Sequence, residues 1–178
     1  KTDNPIAALS PAAMAQVAEN AGIYKATKHP AITFCSAILA GAFISIAFVF
    51  YITATTGTAN VPFGVAKFLG GVCFSLGLML VVACGTDLFT STVMTCIAKA
   101  TNHITWGQMI RNWINVYLGN LVGALFFVAI IFLAGQITAA NGLWGLNVLQ
   151  TADHKLHHTF VEAVALGTLA NLMVCLAV

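Results

Sequence analysis

Residues 68–98 read FLGGVCFSLGLMLVVACGTDLFTSTVMTCIA. As one straight helix these 31 residues would measure about 46 Å at ~1.5 Å per residue. That is too long for a single crossing of a ~30 Å hydrocarbon layer and too short for two crossings with a turn. The run must be interrupted, and its middle shows where. Gly85-Thr86-Asp87-Leu88-Phe89-Thr90-Ser91-Thr92 sets one glycine, one carboxylate and four hydroxyls near bilayer depth. Lipid cannot satisfy the N–H and C=O groups that such a break releases, so it survives only when buried in protein or facing a wet cavity. A broken second span, interrupted near 85–91, is therefore expected, with its inner half starting at about Thr90 or Ser91.

Three further apolar runs flank it: 31–54, 112–134 and 159–178. The first is 24 residues without a charge, enough to cross with some tilt. Residues 55–64 are a turn-rich link, and 135–158 read as a longer polar connection. The last run ends the printed sequence, so a longer parent chain is expected. Ahead of the first span, Ser10-Pro11 is an N-cap followed by proline at the first helical position. It opens an Ala-rich surface helix from Pro11 to about Thr27, with Met14, Val17, Ala18, Ala21 and Ile23 as its apolar side. The expected organisation is a cytoplasmic N-terminal segment, 1–30, and a transmembrane channel domain, 31–178.

Composition agrees with this reading. The chain has 178 residues, 60% hydrophobic and only 7% charged, against about 25% charged in soluble domains; its mean hydropathy is +0.93. Soluble enzymes, disordered tails and disulfide scaffolds are disfavoured. A formal charge of +2, scattered along the chain, argues against a nucleic-acid partner. Cys35, Cys73, Cys84, Cys96 and Cys175 form no CxxC pair and read as small core residues. No histidine lies within a span to ligate haem. His154 and His158 have i,i+4 spacing but lack a third clear ligand, so no metal, cofactor or enzymatic role is expected. The first thirty residues hold no apolar block of signal-peptide length, so no cleaved leader is expected in them.

With the N terminus inside, Lys1, Lys25, Lys28, Lys99 and Arg111 fall on the cytoplasmic side and Lys67 and Lys155 on the other, the bias that sets topology. Trp106 and Trp113 then belong to an inner aromatic belt, Tyr51 and Trp144 to an outer one.

Chemistry is sought at the break. A half-helix N terminus offers N–H donors to an anion at the bilayer midplane. Asp87 is the one carboxylate deep in a span; capping or loop fixing is weighed above direct contact, because its charge repels an anion. Thr90 could either donate to an anion or cap the helix. Phe74 and Leu78 share a helical face before the break, and with Leu88 and Phe89 they could narrow a pore. Asn171 and Val174 share a face of the last span, with Asn171 read first as a partner for another helix. Lys155, beside three histidines, suits a vestibule that enriches anions. Gly70, Gly71, Gly77 and the Gly119/Gly123 pair allow close helix approach.

The stretches KATKHPAITFCSAILAGAFISIAFVFYITATTG (25–57), GGVCFSLGLMLVVACGTDLFTST (70–92), NVYLGNLVGALFF (115–127) and WGLNVLQTADHKLHHTF (144–160) resemble the formate-nitrite transporter family, nearest to its bacterial formate-channel branch. The resemblance covers essentially the whole chain. It implies an all-α, polytopic, aquaporin-like helix bundle assembled as a homopentamer in lipid of the bacterial inner membrane. Each protomer would have six spans and its own pore, and this chain would supply the first four spans. By that similarity Leu88, Phe89 and Thr90 belong to a mobile inner gate, supported by Gly85 and Asp87. Phe74 and Leu78 help form apolar constrictions, Val174 adds to the wall, and Lys155 and Asn171 match positions assigned to attracting and orienting the anion. The family's central pore histidine lies in a second broken helix, beyond the printed residues. The implied function is a channel or transporter for formate and similar small monovalent anions. The alternatives are a nitrite or hydrosulfide pore of the same family, or a neutral-solute pore of the aquaporin kind, whose paired Asn-Pro-Ala turns are missing from this sequence.

Overall fold

The computed structural model describes residues 9–178. Residues 1–8, which include Lys1 and the start of the segment expected over 1–30, lie outside the described residues. The elements in order are α1 (Pro11–Thr27), α2 (Pro30–Thr55), α3 (Phe63–Ala83), α4 (Phe89–Thr92), α5 (Thr95–Ala100), α6 (Trp106–Leu133), a 3-10 turn (Gln136–Thr138), α7 (Leu143–Leu156) and α8 (Phe160–Ala177). Four of these, α2, α3, α6 and α8, are long and apolar enough to cross a membrane. The chain is a multi-pass membrane protein.

Local chemistry sets the helix starts. The Ser10 hydroxyl accepts from the Ala13 amide before Pro11, and His29 Nδ1 accepts from the Ala31 amide before Pro30. Reciprocal capping boxes open α6, between Thr105 and Gln108, and α8, between Thr159 and Glu162; each box satisfies two otherwise unpaired amides. α3 begins directly after Pro62.

α2 is the central helix, packed on one side by α3 and on the other by α6. The α2–α6 seam is tight because glycines face backbone across it. A Cβ on Gly123 would overlap the Ile38 carbonyl, and one on Gly41 would overlap the Asn120 backbone. In lipid there is little hydrophobic drive between spans, so this close packing holds the pair together. α8 buries no residue fully and meets the rest mainly through α4.

Several expectations are corrected. The second span is interrupted as expected, but its inner half is two short helices, α4 and α5, and it starts at Phe89 rather than at Thr90 or Ser91. Residues 135–158 are mostly helix rather than a polar connection. Gly142, at φ 84°, opens α7, and Asn147 Nδ2 pins α7 to α2 by donating to the Ile52 carbonyl at 3.1 Å and to Thr55 Oγ1 at 3.0 Å. Trp144 is no exposed belt residue: it is buried and its indole N–H donates to Thr53 Oγ1 at 3.0 Å. Trp113 likewise points inward, to Thr95 Oγ1 at 2.9 Å, whereas Trp106 is exposed with Lys99 Nζ 5.5 Å from its ring centroid. The packed side of α1 is the expected one only in part: Ala18, Ala21 and Ile23 are half-buried, with Ile23 against the buried cluster. Met14 and Val17 are exposed, and Gly22 and Ala26 are buried against α5 and its neighbours. None of the five cysteines is buried; all are free thiols, with Cys35, Cys84 and Cys96 exposed. Gly70 and Gly77 meet Tyr51 and Ala47 of α2 closely, but nothing lies within 4 Å of a Cβ built on Gly71.

Candidate functional site

The break is built from a left-handed glycine and a web of polar ties. α3 stops at Ala83, and Gly85 at φ 61° reverses the chain, a conformation open to glycine at no steric cost. The Thr86 amide closes the turn on the Val81 carbonyl at 3.0 Å. Asp87 and Leu88 then run extended into the four-residue α4.

One face of α6 holds this segment. Asn120 Nδ2 donates to the Asp87 carbonyl at 3.0 Å and to the Ala37 carbonyl of α2 at 2.8 Å, while Asn120 Oδ1 accepts from the Phe89 amide at 2.9 Å. Three and seven residues earlier, Tyr117 and Trp113 meet the Phe89 ring edge-on, with centroids 5.5 and 6.3 Å away. Ser36 of α2 accepts from the Asp87 amide at 3.0 Å. The Asp87 and Phe89 amides and the Asp87 carbonyl, released by the break, are thus satisfied by side chains of α2 and α6, the kind of pairing a break at membrane depth demands.

The Asp87 carboxylate is buried, at 3% relative exposure, and it fixes the loop rather than capping α4. Lys28 Nζ lies 2.8 Å from Oδ2 and Lys25 Nζ 3.5 Å from Oδ1; Lys25 also donates to Ser91 Oγ at 3.3 Å. Both lysines come from α1 and its C-cap, whose end is held in turn by Asn112 Nδ2 donating to the Lys25 carbonyl at 2.8 Å. The N-terminal helix is therefore bolted to the interruption of the second span.

Most of the expected row of half-helix amides is taken, and among these the Thr90 amide alone has no hydrogen-bond acceptor. The Phe89 amide is taken by Asn120, and the Ser91 and Thr92 amides by the Leu88 carbonyl at 3.0 and 3.2 Å. Beside the Thr90 amide the break offers the Thr90 hydroxyl. It caps nothing, since Leu88 is the N-cap and no side chain bonds there. Its Oγ1 is buried without a hydrogen-bond partner. α8 lies against this spot, with Cys175 Sγ donating to the Thr90 carbonyl at 3.3 Å. One turn back along α8, Asn171 donates to its own helix, at the Gly167 carbonyl, 2.7 Å, rather than to another helix as expected. Its Oδ1 is also buried and unpartnered. Gly167, Asn171, Val174 and Cys175 are the half-buried side of a helix that is otherwise exposed. Unpartnered buried polar atoms are costly, and two of them lie in the elements that meet at the break.

At the opposite end of the bundle a cavity of ≈ 600 Å³ opens between α2, α3 and α7, with Phe74, Lys67, Lys155 and His154 in its lining. Phe74 stands edge-on to Phe48, centroids 5.4 Å apart. Leu78, one turn deeper on the same helix, is half-buried and outside this lining. Lys155 is exposed. His154 and His158 stack edge to face at 5.1 Å, and among the described residues no group of three ligating side chains is brought together. At the α1 end, His103 Nδ1 lies 2.7 Å from Glu19 Oε1. The Glu19 carboxyl is held below the usual carboxylate range, chiefly by the Thr101 hydroxyl; burial opposes this next in size, and His103 and Gln16 add to the lowering.

Sequence reasoning missed Lys25, Lys28, Ser36 and Asn120. Two signals pointed to them: a buried carboxylate needs a countercharge, and an asparagine in the middle of a span needs partners.

Residues 12–178 match the formate/nitrite transporter family. The formate channel FocA of Escherichia coli strain K12 is 71% identical over all 178 residues, which cover 62% of its own length. The Haemophilus influenzae FocA is 54% identical over 171 residues, 96% of this chain and 60% of that protein. The chain thus spans about 60% of the length of these curated relatives. A structure described as a pentameric formate channel with formate bound superposes with a TM-score of 0.78 at 49% identity, over 83% of this chain and 58% of that one.

Proposed function

The chain belongs to the formate/nitrite transporter family, and we propose from that membership that it forms part of a homopentameric pore passing formate and related small monovalent anions. The pore lies in the bacterial inner membrane, with α1 on the cytoplasmic side. One observation carries the site: the Thr90 hydroxyl, buried and unpartnered at the break, against a last span whose inward side bears Asn171 and Val174. A neutral hydroxyl donates to a carboxylate without binding it as strongly as a fixed charge does, which suits a species that must leave again.

The route runs from the Lys155 vestibule, past the apolar girdle at Phe74 and Leu78, to Thr90 and the segment Leu88–Phe89. Gly85 and Asp87 support that segment, Asp87 through its lysine clamp. An apolar constriction disfavours a bare charge, so attraction at the mouth and a donor beyond the girdle are both needed. Formate bound to the solved relative and the family's printed description, which covers nitrite as well, support this choice of substrate.

Formate and nitrite flux into proteoliposomes, measured at two pH values, tests the reading. A Thr90→Val, Lys155→Ala double variant is expected to lose at least about tenfold in formate flux, the loss of roughly 1.4 kcal/mol of stabilisation along the route. Undiminished uptake would remove these residues from the mechanism, and water permeation without formate flux would favour a neutral-solute pore.

A further inference from the structure

A second lysine shares the cavity of the Lys155 vestibule. Lys67 lies on α3, and Lys67, Gly71, Phe74 and Leu78 follow one another at spacings of four, three and four residues, so they lie along one face of that helix. Phe74 and Leu78 are the apolar girdle of the proposed route; Lys67 is the same face continued to the mouth. Gly71, between them, keeps the face open, since nothing lies within 4 Å of a Cβ built there. Lys67, Phe74 and Lys155 all line the ≈ 600 Å³ cavity.

The Lys67 ammonium is held in place. Its Nζ donates to Tyr51 Oη at 2.9 Å and sits 5.7 Å from the Tyr51 ring centroid and 5.6 Å from that of Phe63. An ammonium has three donors and Tyr51 takes one, so two remain for an incoming group. No carboxylate lines the cavity, and among the described residues neither Lys67 nor Lys155 is in an ion pair. Two ammonium groups facing one cavity without an acid between them repel each other, and a small anion between them removes that repulsion. The aromatic faces share the charge of Lys67, which keeps the grip on an anion weak enough for release.

We propose that Lys67, positioned by Tyr51 and Phe63, is a second anion-docking residue at this mouth. A small monocarboxylate is held there between the ammonium groups of Lys67 and Lys155 before it meets Phe74. The inference deepens the transport reading given above and rests on it.

Formate flux into proteoliposomes holding the full chain, followed against formate concentration at low and high ionic strength, tests it. Lys67→Gln is expected to raise the half-saturating concentration about three- to tenfold at low salt, with maximal flux changed less than about twofold, because a mouth cation raises local anion concentration rather than speeding later steps. The salt dependence of half-saturation flattens with it. Lys67→Arg restores both. Tyr51→Phe, which removes the hydrogen-bond partner and keeps the ring, shifts half-saturation in the same direction by less. Combining Lys67→Gln with Lys155→Gln gives less than the product of the two single effects, since both residues hold one anion. A Lys67→Gln protein with unchanged half-saturation and unchanged salt dependence overturns the proposal while the transport reading stands. No formate flux through the unsubstituted protein overturns both.

Discussion

Two pairs of lysines sit at opposite ends of the bundle and do different work. Lys25 and Lys28 converge on one buried carboxylate, Asp87, and their charge is consumed in holding α1 to the broken span. Lys67 and Lys155 line an open cavity with no acid beside them, so their charge reaches into solvent. The residue type and formal charge are the same in both pairs. What separates a structural cation from an electrostatic lure is whether a carboxylate lies within about 4 Å and whether water is excluded around it. The first pair belongs to the fold; the second is the pair proposed to meet the anion.

The contrast breaks most sharply at Asp87. Asp87→Asn keeps the shape and removes the charge, leaving two half-buried ammonium groups uncompensated, and is expected to destabilise the protein by roughly 3 kcal/mol or more. Thermal unfolding in detergent and proteolysis at the α1–α2 junction read this out; a wild-type melting temperature with intact α1 would show that the lysine clamp is dispensable. Asn120→Ala comes next. It orphans the Phe89 amide and the Asp87 carbonyl and removes the tie to the Ala37 carbonyl, a loss of about 1–3 kcal/mol, and amide hydrogen exchange at Phe89 should speed up while that of mid-α2 stays slow.

A smaller effect is expected from acid. Because the folded Glu19 carboxyl lies below its ordinary value of 4.5, its contribution to holding α1 on the loop after α5 is fully present above pH 4.5 and is lost as pH falls through the lowered folded value. Proteolysis of α1 should quicken below that pH in the wild type and lose its pH dependence in Glu19→Gln. The smallest effect on stability is reserved for the opposite end. Lys155→Gln should change unfolding by no more than about 0.5 kcal/mol, as for exposed positions in general, while formate flux falls. A large stability loss there would erase the distinction between the two ends.

The same division runs through what the sequence disclosed. The interruption of residues 68–98 was legible because length and hydropathy are local properties: a run that is too long for one crossing declares its own break. The α1 cap at Ser10-Pro11 was legible for the same reason. α7 was not, because Asp153, Lys155 and two glycines within 142–158 mask a helix whose stability comes from Trp144 and Asn147 reaching α2. The side of α1 that packs was legible only in part, at Ala18, Ala21 and Ile23, because its small and polar residues are not segregated around the helix. Gly22 is buried there where Met14 is exposed.

The amino-acid sequence alone determined the four spans, the position of the break, the family likeness and the residues able to donate or attract along a route. Tertiary structure decided what those residues do. Lys25 and Asp87 are 62 positions apart, and Asn120 stands 31 and 33 positions from the two backbone groups it clamps. No periodicity links such pairs, since each residue's pattern reports only its own helix. The partner of a buried charge is chosen when helices pack, by which neighbour arrives within hydrogen-bond distance after water has been excluded.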